Sequence, residues 1–305
     1  MQSSIKGVFP ILLTPFNLKG SIDFEDLEKL TRYYVDSGVD GLACLGEVSE
    51  SQWMEEKERR GILRKVMDCV SGKIPVVSGV GRETDRSTVE AAEYAQEIGA
   101  SALLLAPQKK PDATEEEVLG RFRAVDRVAE KEIIILDNPT LGFSRLSIPL
   151  IERILGDCSM VTGIKVEDQP SQEKIAALRK AFGKELAIYG ATNGRNLYWE
   201  MELGIDGILT SAPVPFHLVE LWKLYRSGNK ERALDLFLKT LPLAVYTPER
   251  TVAVKKEILK LLGIFKESTV RIPGGDLPDH MKKDVAAMLD WTGRMTESFT
   301  QGKYA

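Results

Sequence analysis

The stretch VTGIKVEDQP, residues 161–170, ends an apolar run in a lysine, Lys165, and follows it with two acids, Glu167 and Asp168. A lysine in that place either snorkels to water along its methylene stem or is held partly dry. Desolvation disfavours the ammonium and frees the amine as a nucleophile, and a lysine amine attacks a ketone to form a Schiff base. The competing reading is a structural lysine paired with Glu167 or Asp168. Further candidates sit at the ends of similar runs: Asp137 closes EIIILD, Glu47 and Glu50 lie in GEVSES, Gly190 closes ELAIYG, and Pro107, Gln108 and Lys109 follow SALLLA. Each acid also has an ordinary role, Glu47 and Glu50 as charges favoured near a helix amino terminus and Asp137 as a cap on the turn before Pro139.

The elements that must position these residues form a repeating pattern. Eight short β-branched or leucine-rich runs, beginning at Gly7, Val39, Ile74, Ser101, Glu132, Met160, Glu185 and Asp206, are each followed by an amphipathic stretch of helical period. Asp23 precedes one helix and Asp85 another, Thr114 and Glu117 have capping-box spacing, and Gly38, Gly99 and Gly183 stand where helices end. Nearly continuous apolar strands covered by helices predict a parallel sheet, and eight such units predict a closed (β/α)8 TIM barrel. No Gly-rich fingerprint opens a helix after the first strand, which weakens a dinucleotide-binding sheet. The barrel is expected over residues 1–228 and a C-terminal helical extension over 229–305. In a barrel of this kind, chemistry sits at the carboxyl ends of the strands, which gathers Lys165, Asp137, Glu47, Glu50 and Gly190 on one rim.

Composition narrows the classes. The 305 residues are 43% apolar and 28% charged with a net charge of -4, so there is no basic footprint for nucleic acid or an anionic membrane. A small molecule is the expected partner. Three scattered cysteines without CxxC spacing suit a reducing cytoplasm, and no apolar run approaches a membrane span, so neither export nor insertion is expected. Two histidines, His217 and His280, far apart in sequence, give little support to a zinc site or a Ser-His-Asp triad. No metal or cofactor is expected. GVGR at Gly79 to Arg82 lacks the GK[ST] of a phosphate loop, and Cys44, Tyr198 and Trp199 read as packing residues.

With these residues in hand, most of the chain resembles the pyruvate-type class I lyases, the family of dihydrodipicolinate synthase and N-acetylneuraminate lyase. GVFPILLTPF with Gly20, Ile22 and Asp23 is similar to the family's opening. SGVDGL leading to Gly46 and Glu50 and then Glu58-Arg59 resembles its second-strand signature, Gly163 to Lys165 its Schiff-base strand, Gly190 the glycine that follows, and VAVKKEILKLLG its helical tail. The resemblance implies Lys165 as the Schiff-base lysine, a cradle for the substrate carboxylate at the backbone of Val48 and Ser49, and a homo-oligomer, commonly a tetramer. It also exposes departures. The synthase's Gly-Thr-Thr-Gly-Glu turn is here Gly46, Glu47, Val48, Ser49, Glu50, so the relaying hydroxyl is replaced by a carboxylate or lost; the family's Tyr-Asn-x-Pro is met by Asp137, Asn138 and Pro139; its Pro-Tyr-Tyr is Pro107, Gln108, Lys109; and its second-substrate arginine falls near Gly142.

What remains is similar to a divergent branch, the 2-keto-3-deoxy sugar-acid dehydratases, through Ser49-Glu50, the Asp-x-Pro after strand five, Lys165-Val166-Glu167 and Lys174-Ile175. A tyrosine is neutral at pH 7 and suits a relay, whereas a carboxylate is already a base, so Asp137 is the expected base, with Glu50 next. Removal of a C3 proton with protonation of the C4 hydroxyl makes a dehydratase; removal of the C4 hydroxyl proton makes an aldolase that releases pyruvate, and beside the aldolase stands a dihydrodipicolinate synthase-like enzyme. A non-catalytic sugar-acid binder on the same barrel is the third reading, and an imine-forming lysine is of no use to it.

Overall fold

In the computed structural model residues 3–246 and 251–300 are described; Met1, Gln2 and the last part of the expected extension, 301–305, lie outside the described residues. Eight strands, β1 (Gly7–Pro10), β2 (Leu42–Cys44), β3 (Val76–Gly79), β4 (Ala102–Leu105), β5 (Glu132–Asp137), β6 (Val161–Val166), β7 (Ala187–Gly190) and β8 (Gly207–Thr210), fall on the eight runs read from the sequence. From β2 to β8 each pairs in parallel with the next, β8 pairs with β1, and the β1–β2 seam is bridged at Ile11 and Ala43, which makes the expected (β/α)8 barrel. Helices α1 (Phe24–Asp36), α2 (Glu56–Val70), α3 (Asp85–Glu97), α4 (Glu115–Asp126), α5 (Ile148–Asp157), α6 (Ser171–Phe182), α7 (Leu197–Glu202) and α8 (Pro215–Arg226) alternate with the strands.

Helix starts follow the side-chain chemistry of the caps. Asp23 accepts from the N–H groups of Glu25 and Asp26 to begin α1, and Thr114 with Glu117 closes a capping box on α4. At α3 the cap is Thr84, so Asp85, expected as the cap, is instead the first helical residue, and its carboxylate pairs with Arg121 at 2.7 Å.

The strands are buried on both faces, and the two faces differ in what they touch. Phe9, Ala43, Val77, Leu104, Ile134, Leu136, Tyr189 and Leu209 fill the barrel interior. Val8, Leu42, Val76, Leu103, Ile133, Ile135, Ile164, Val166 and Ile188 face outward into the layer shared with the helices. Burying each such side chain contributes about 1.5 to 3 kcal/mol, and the two-residue alternation fixes which ones point into the mouth. Past the turn after Arg226 the chain continues as α9 (Lys230–Val245), α10 (Thr251–Leu261) and α11 (Asp279–Thr300). Ala233, Leu236, Phe237, Val252, Leu259 and Phe265 from this region join the same apolar core as the barrel's outer face. Among the described residues no helix is long and apolar enough to cross a membrane.

Candidate active site

Lys165 is the inward residue next to the end of β6, between outward Ile164 and Val166, and it is 4% exposed. Its Nζ forms an ion pair with Glu167, two residues on and therefore on the same side of the strand. Glu167 continues the ladder, its N–H donating to Asp137 O at 2.8 Å, and its Oε2 accepts from Asn138 Nδ2 at 2.7 Å. Asn138 is itself oriented by Thr140, whose hydroxyl donates to its Oδ1 at 2.6 Å. The carboxylate beside Lys165 is thus aimed from a second strand.

The turn after β2 brings Glu47 to the same mouth. Burial raises its carboxyl above the usual range and nearby Glu167 adds to this, against Lys109 and Lys165. Lys109 Nζ lies 3.8 Å from the Glu47 carboxylate. Beside them opens a cavity of about 490 Å³, lined by Glu47, Leu104, Gln108, Lys109, Leu136 and Phe143 among others. Ser49 is engaged elsewhere: its hydroxyl donates to Leu12 O at 2.6 Å and its N–H to Gly46 O at 3.1 Å, while Thr14 donates to its carbonyl. Of the cradle expected at Val48 and Ser49, the Ser49 donors are therefore committed to the turn, and the Val48 N–H remains as one of the open first donors of a 3-10 turn, Glu47–Ser49.

Asp137 does not join them. It has the parity of Ile133 and Ile135, so its carboxylate leaves the barrel wall on the outer side, while inward Leu136 is the register partner of Lys165. The expectation of Asp137 as the base beside Lys165 is corrected on this ground. Its carboxylate is fully buried with Lys174 Nζ at 3.1 Å from Oδ2, at ion-pair distance but outside hydrogen-bond geometry, and Lys174 also lies 3.6 Å from Asp168. Burial raises the Asp137 carboxyl to about 6, against the pull of Lys174 and with Asp168 adding to the rise.

A raised carboxyl binds its proton more tightly folded than unfolded. Asp137 therefore adds stability that is full below pH of about 4 and lost as pH rises through about 6, on the order of 2 to 3 kcal/mol in all. Buried Glu200, raised to about 7, acts in the same direction. Urea unfolding between those limits is expected to show a shallower fall with pH in Asp137→Asn than in the wild type, while covalent trapping at Lys165 stays within a few-fold. An unchanged pH slope, or loss of trapping in folded protein, would contradict the outward placement.

Glu50 is likewise turned away from the mouth's centre. Its φ is 60°, a left-handed conformation, and its fully buried carboxylate pairs with Lys256 of α10 and accepts from the N–H groups of Arg271 at 2.6 Å and Ile272 at 3.3 Å. Both oxygens are thereby bound to the C-terminal region. At Gly190 a Cβ would meet Glu200 Oε2 at 2.4 Å, so the glycine makes room for that buried acid, which Ser171 holds with a 2.6 Å hydrogen bond. Among the described residues no group of three or more His, Cys, Asp or Glu is placed to hold a metal.

Comparison with known proteins turns this geometry into a family. The model of the Dihydrodipicolinate synthetase family matches residues 4–291. The chain belongs to that family. Its members are class I lyases that form a Schiff base through a lysine and act on pyruvate-type keto acids, and this enzyme is one of them. The chain is 29% identical over 275 residues to the 4-hydroxy-tetrahydrodipicolinate synthase of Thermotoga maritima, spanning 88% of this chain and 92% of the relative. The crystal structure of dihydrodipicolinate synthase from Rhodopseudomonas palustris superposes with a TM-score of 0.88 at 28% identity over 95% of this chain and 99% of the other. A catalytic lysine mutant of the sialic acid aldolase of Ruminococcus gnavus shares the fold, with a TM-score of 0.90 at 21% identity over 98% of this chain and 100% of the other.

Within the family frame, the residues that sequence reasoning passed over are Leu136, Glu167 as more than an ion-pair partner, and Lys255. The resemblance set Asp137 in the tyrosine's place, but the residue that faces inward at the end of β5, opposite Lys165, is Leu136. Tyr189 does lie inside the barrel, but its hydroxyl donates to Ile5 O at 2.9 Å and bonds Ser3 at the opposite, amino-terminal end. Glu167 could have been found by parity, two residues beyond Lys165. Lys255 was signalled by a lysine pair inside the apolar run VAVKKEIL, because a helix buried along Val252 to Leu259 has nowhere to solvate them.

Proposed function

We propose that this enzyme is a 2-keto-3-deoxy sugar-acid dehydratase in which Lys165 is the Schiff-base lysine and Glu167 and Glu47 are the proton-transferring groups. The observation that carries this reading is the pair of carboxylates beside Lys165, with the aliphatic Leu136 where a hydroxyl relay would need its tyrosine. The Lys165 amine adds to the C2 ketone, water leaves, and the iminium acidifies C3. Glu167, held by Asn138, takes a C3 proton to give the enamine. Glu47, whose raised carboxyl favours the protonated form, supplies the proton with which the C4 hydroxyl departs as water. Hydrolysis of the imine returns Lys165, and the net change is loss of one water.

The alternative within the family is carbon–carbon cleavage or condensation, supported by the relatives named as synthases. A purely binding role is disfavoured by an amine and carboxylate placed for proton exchange. Family membership supports an oligomer, and the free cysteines Cys44, Cys69 and Cys158 suit a reducing cytoplasm; both belong to this proposal.

The deciding experiment incubates the protein with pyruvate and with a panel of 2-keto-3-deoxy sugar acids, reduces with borohydride, locates the adduct by peptide mass and assays products in parallel. The expected result is an adduct on Lys165 and a sugar acid that loses water without releasing pyruvate. Pyruvate release from the same substrate would replace the dehydratase with an aldolase, and no adduct with any keto acid would remove Lys165 from the mechanism.

A further inference from the structure

Two adjacent lysines of α10 enter the protein and meet opposite surroundings. Lys256 is matched by the Glu50 carboxylate, donates to Thr269 O at 2.9 Å and lies 4.2 Å from the centre of the Phe16 ring. Lys255 is also buried, at 4% exposure, yet its Nζ donates only to neutral groups, Asn193 Oδ1 and Ser211 Oγ, and among the described residues no carboxylate lies within ion-pair distance of it. A buried ammonium without a counter-ion is costly, and folds keep such groups where something else supplies the charge.

The place is not accidental. Lys255 is within electrostatic range of both Glu167 and Lys165, and Asn193 and Ser211 follow β7 and β8 on the barrel's catalytic rim. Burial brings the Lys255 ammonium down to about 7, Glu167 pulling it up and Lys165 pushing it down. The loop that holds it is strained: Thr192 and Asn193 have φ of 51° and 57°, two non-glycine residues in left-handed conformation that lead into Gly194 at 77°. Asn193 is fixed by its own Nδ2, which donates to Thr251 Oγ1 at 3.1 Å at the start of α10. Loop and helix together hold one cation at the rim, in the wall of a pocket that Asn193, Ser211, Leu197 and His217 also line.

We infer that Lys255 is an anion-binding residue of the substrate site, its ammonium receiving a carboxylate of the keto acid while Asn193 and Ser211 orient it. On the other side of the mouth the β2 turn has committed its Ser49 donors and leaves the Val48 N–H as its open one. The carboxylate is either the C1 group next to the imine or a second one at the far end of a diacid. This inference rests on the keto-acid reading of Lys165.

The test measures borohydride trapping at Lys165 as a function of pyruvate and of 2-oxoglutarate concentration in the full chain, for wild type, Lys255→Met and Lys255→Arg. Loss of the charge is expected to raise the half-saturating concentration tenfold or more, with trapping at saturation and the melting temperature retained, and Lys255→Arg is expected to recover much of the affinity. A shift for both acids assigns the C1 carboxylate; a shift for 2-oxoglutarate alone assigns the distal one. Should Lys255→Met not fold, Lys255→Gln is read in the same way. Unchanged half-saturation for both acids in a folded neutral variant overturns the inference alone. Absence of any adduct in the wild type overturns the keto-acid reading, and the inference with it.

Discussion

Lys165→Arg is expected to abolish turnover, by a factor of roughly 10³ or more, because a guanidinium stays protonated and cannot add to a ketone. The substitution suits the site for a specific reason. Arginine keeps a positive charge opposite Glu167, so the ion pair and the hydrogen bond from Asn138 persist, and the melting temperature should move by only a few degrees. Lys165→Ala would mix two effects, loss of the nucleophile and an uncompensated Glu167. The measurement is steady-state rate on the substrate found by trapping, together with peptide mass after borohydride. A folded Lys165→Arg protein that keeps a tenth of wild-type activity, or still forms an adduct at this peptide, would show that another group does the chemistry. Retained keto-acid affinity with no loss of function in a non-catalytic assay would favour the binder.

How far the sequence carried this site depended on strand parity. The eight strands were legible because β-branched runs alternate with helical periods, and Lys165 was legible as a cation ending such a run. Whether Asp137 faces in or out was not, because EIIILD is apolar on both faces and the usual alternation of polar and apolar residues is erased in a doubly buried strand. Only pairing with β6, which sets Leu136 against Lys165 and includes a register shift at Ile133 and Ile134, settles it. The same parity rule, applied forward from Lys165, would have promoted Glu167. Partners of Glu50 were hidden for another reason: Lys256 lies 206 residues away, beyond any local pattern.

That long-range contact makes the C-terminal region part of the catalytic architecture. From α10, Lys255 binds Asn193 and Ser211 on the rim, while Lys256 and the backbone at Arg271 hold the turn that carries Glu47. Arg271 reinforces the hold with a bidentate pair to Glu58, 2.7 and 2.8 Å, and donates to Gly20 O. A single helix thus holds a cation on the rim after β7 and β8 and fastens the strand-two turn opposite.

Breaking that fastening is expected to be the largest stability effect in the chain. Lys256→Met leaves the Glu50 carboxylate fully buried with only two backbone donors, and removal of one member of a buried pair costs about 3 to 5 kcal/mol. Burial already pulls the Lys256 ammonium down to about 8, with Glu50 opposing, so the lysine itself is held at a desolvation cost that methionine would not bear. Most of the loss should therefore come from the stranded carboxylate. Neutralising it tests this directly: Glu50→Gln keeps an acceptor for the Arg271 and Ile272 N–H groups, and glutamine tolerates the left-handed φ of 60° no worse than glutamate. The double variant Glu50→Gln/Lys256→Met should accordingly regain much of the stability lost by Lys256→Met alone, giving a coupling of about 1 to 3 kcal/mol in a double-mutant cycle of urea unfolding. Additive losses would mean that the two side chains do not share one buried interaction. Because the same turn carries Glu47, the single variant should also lose catalytic rate more than Lys165 trapping, and the double variant should regain part of that rate as the turn is held again.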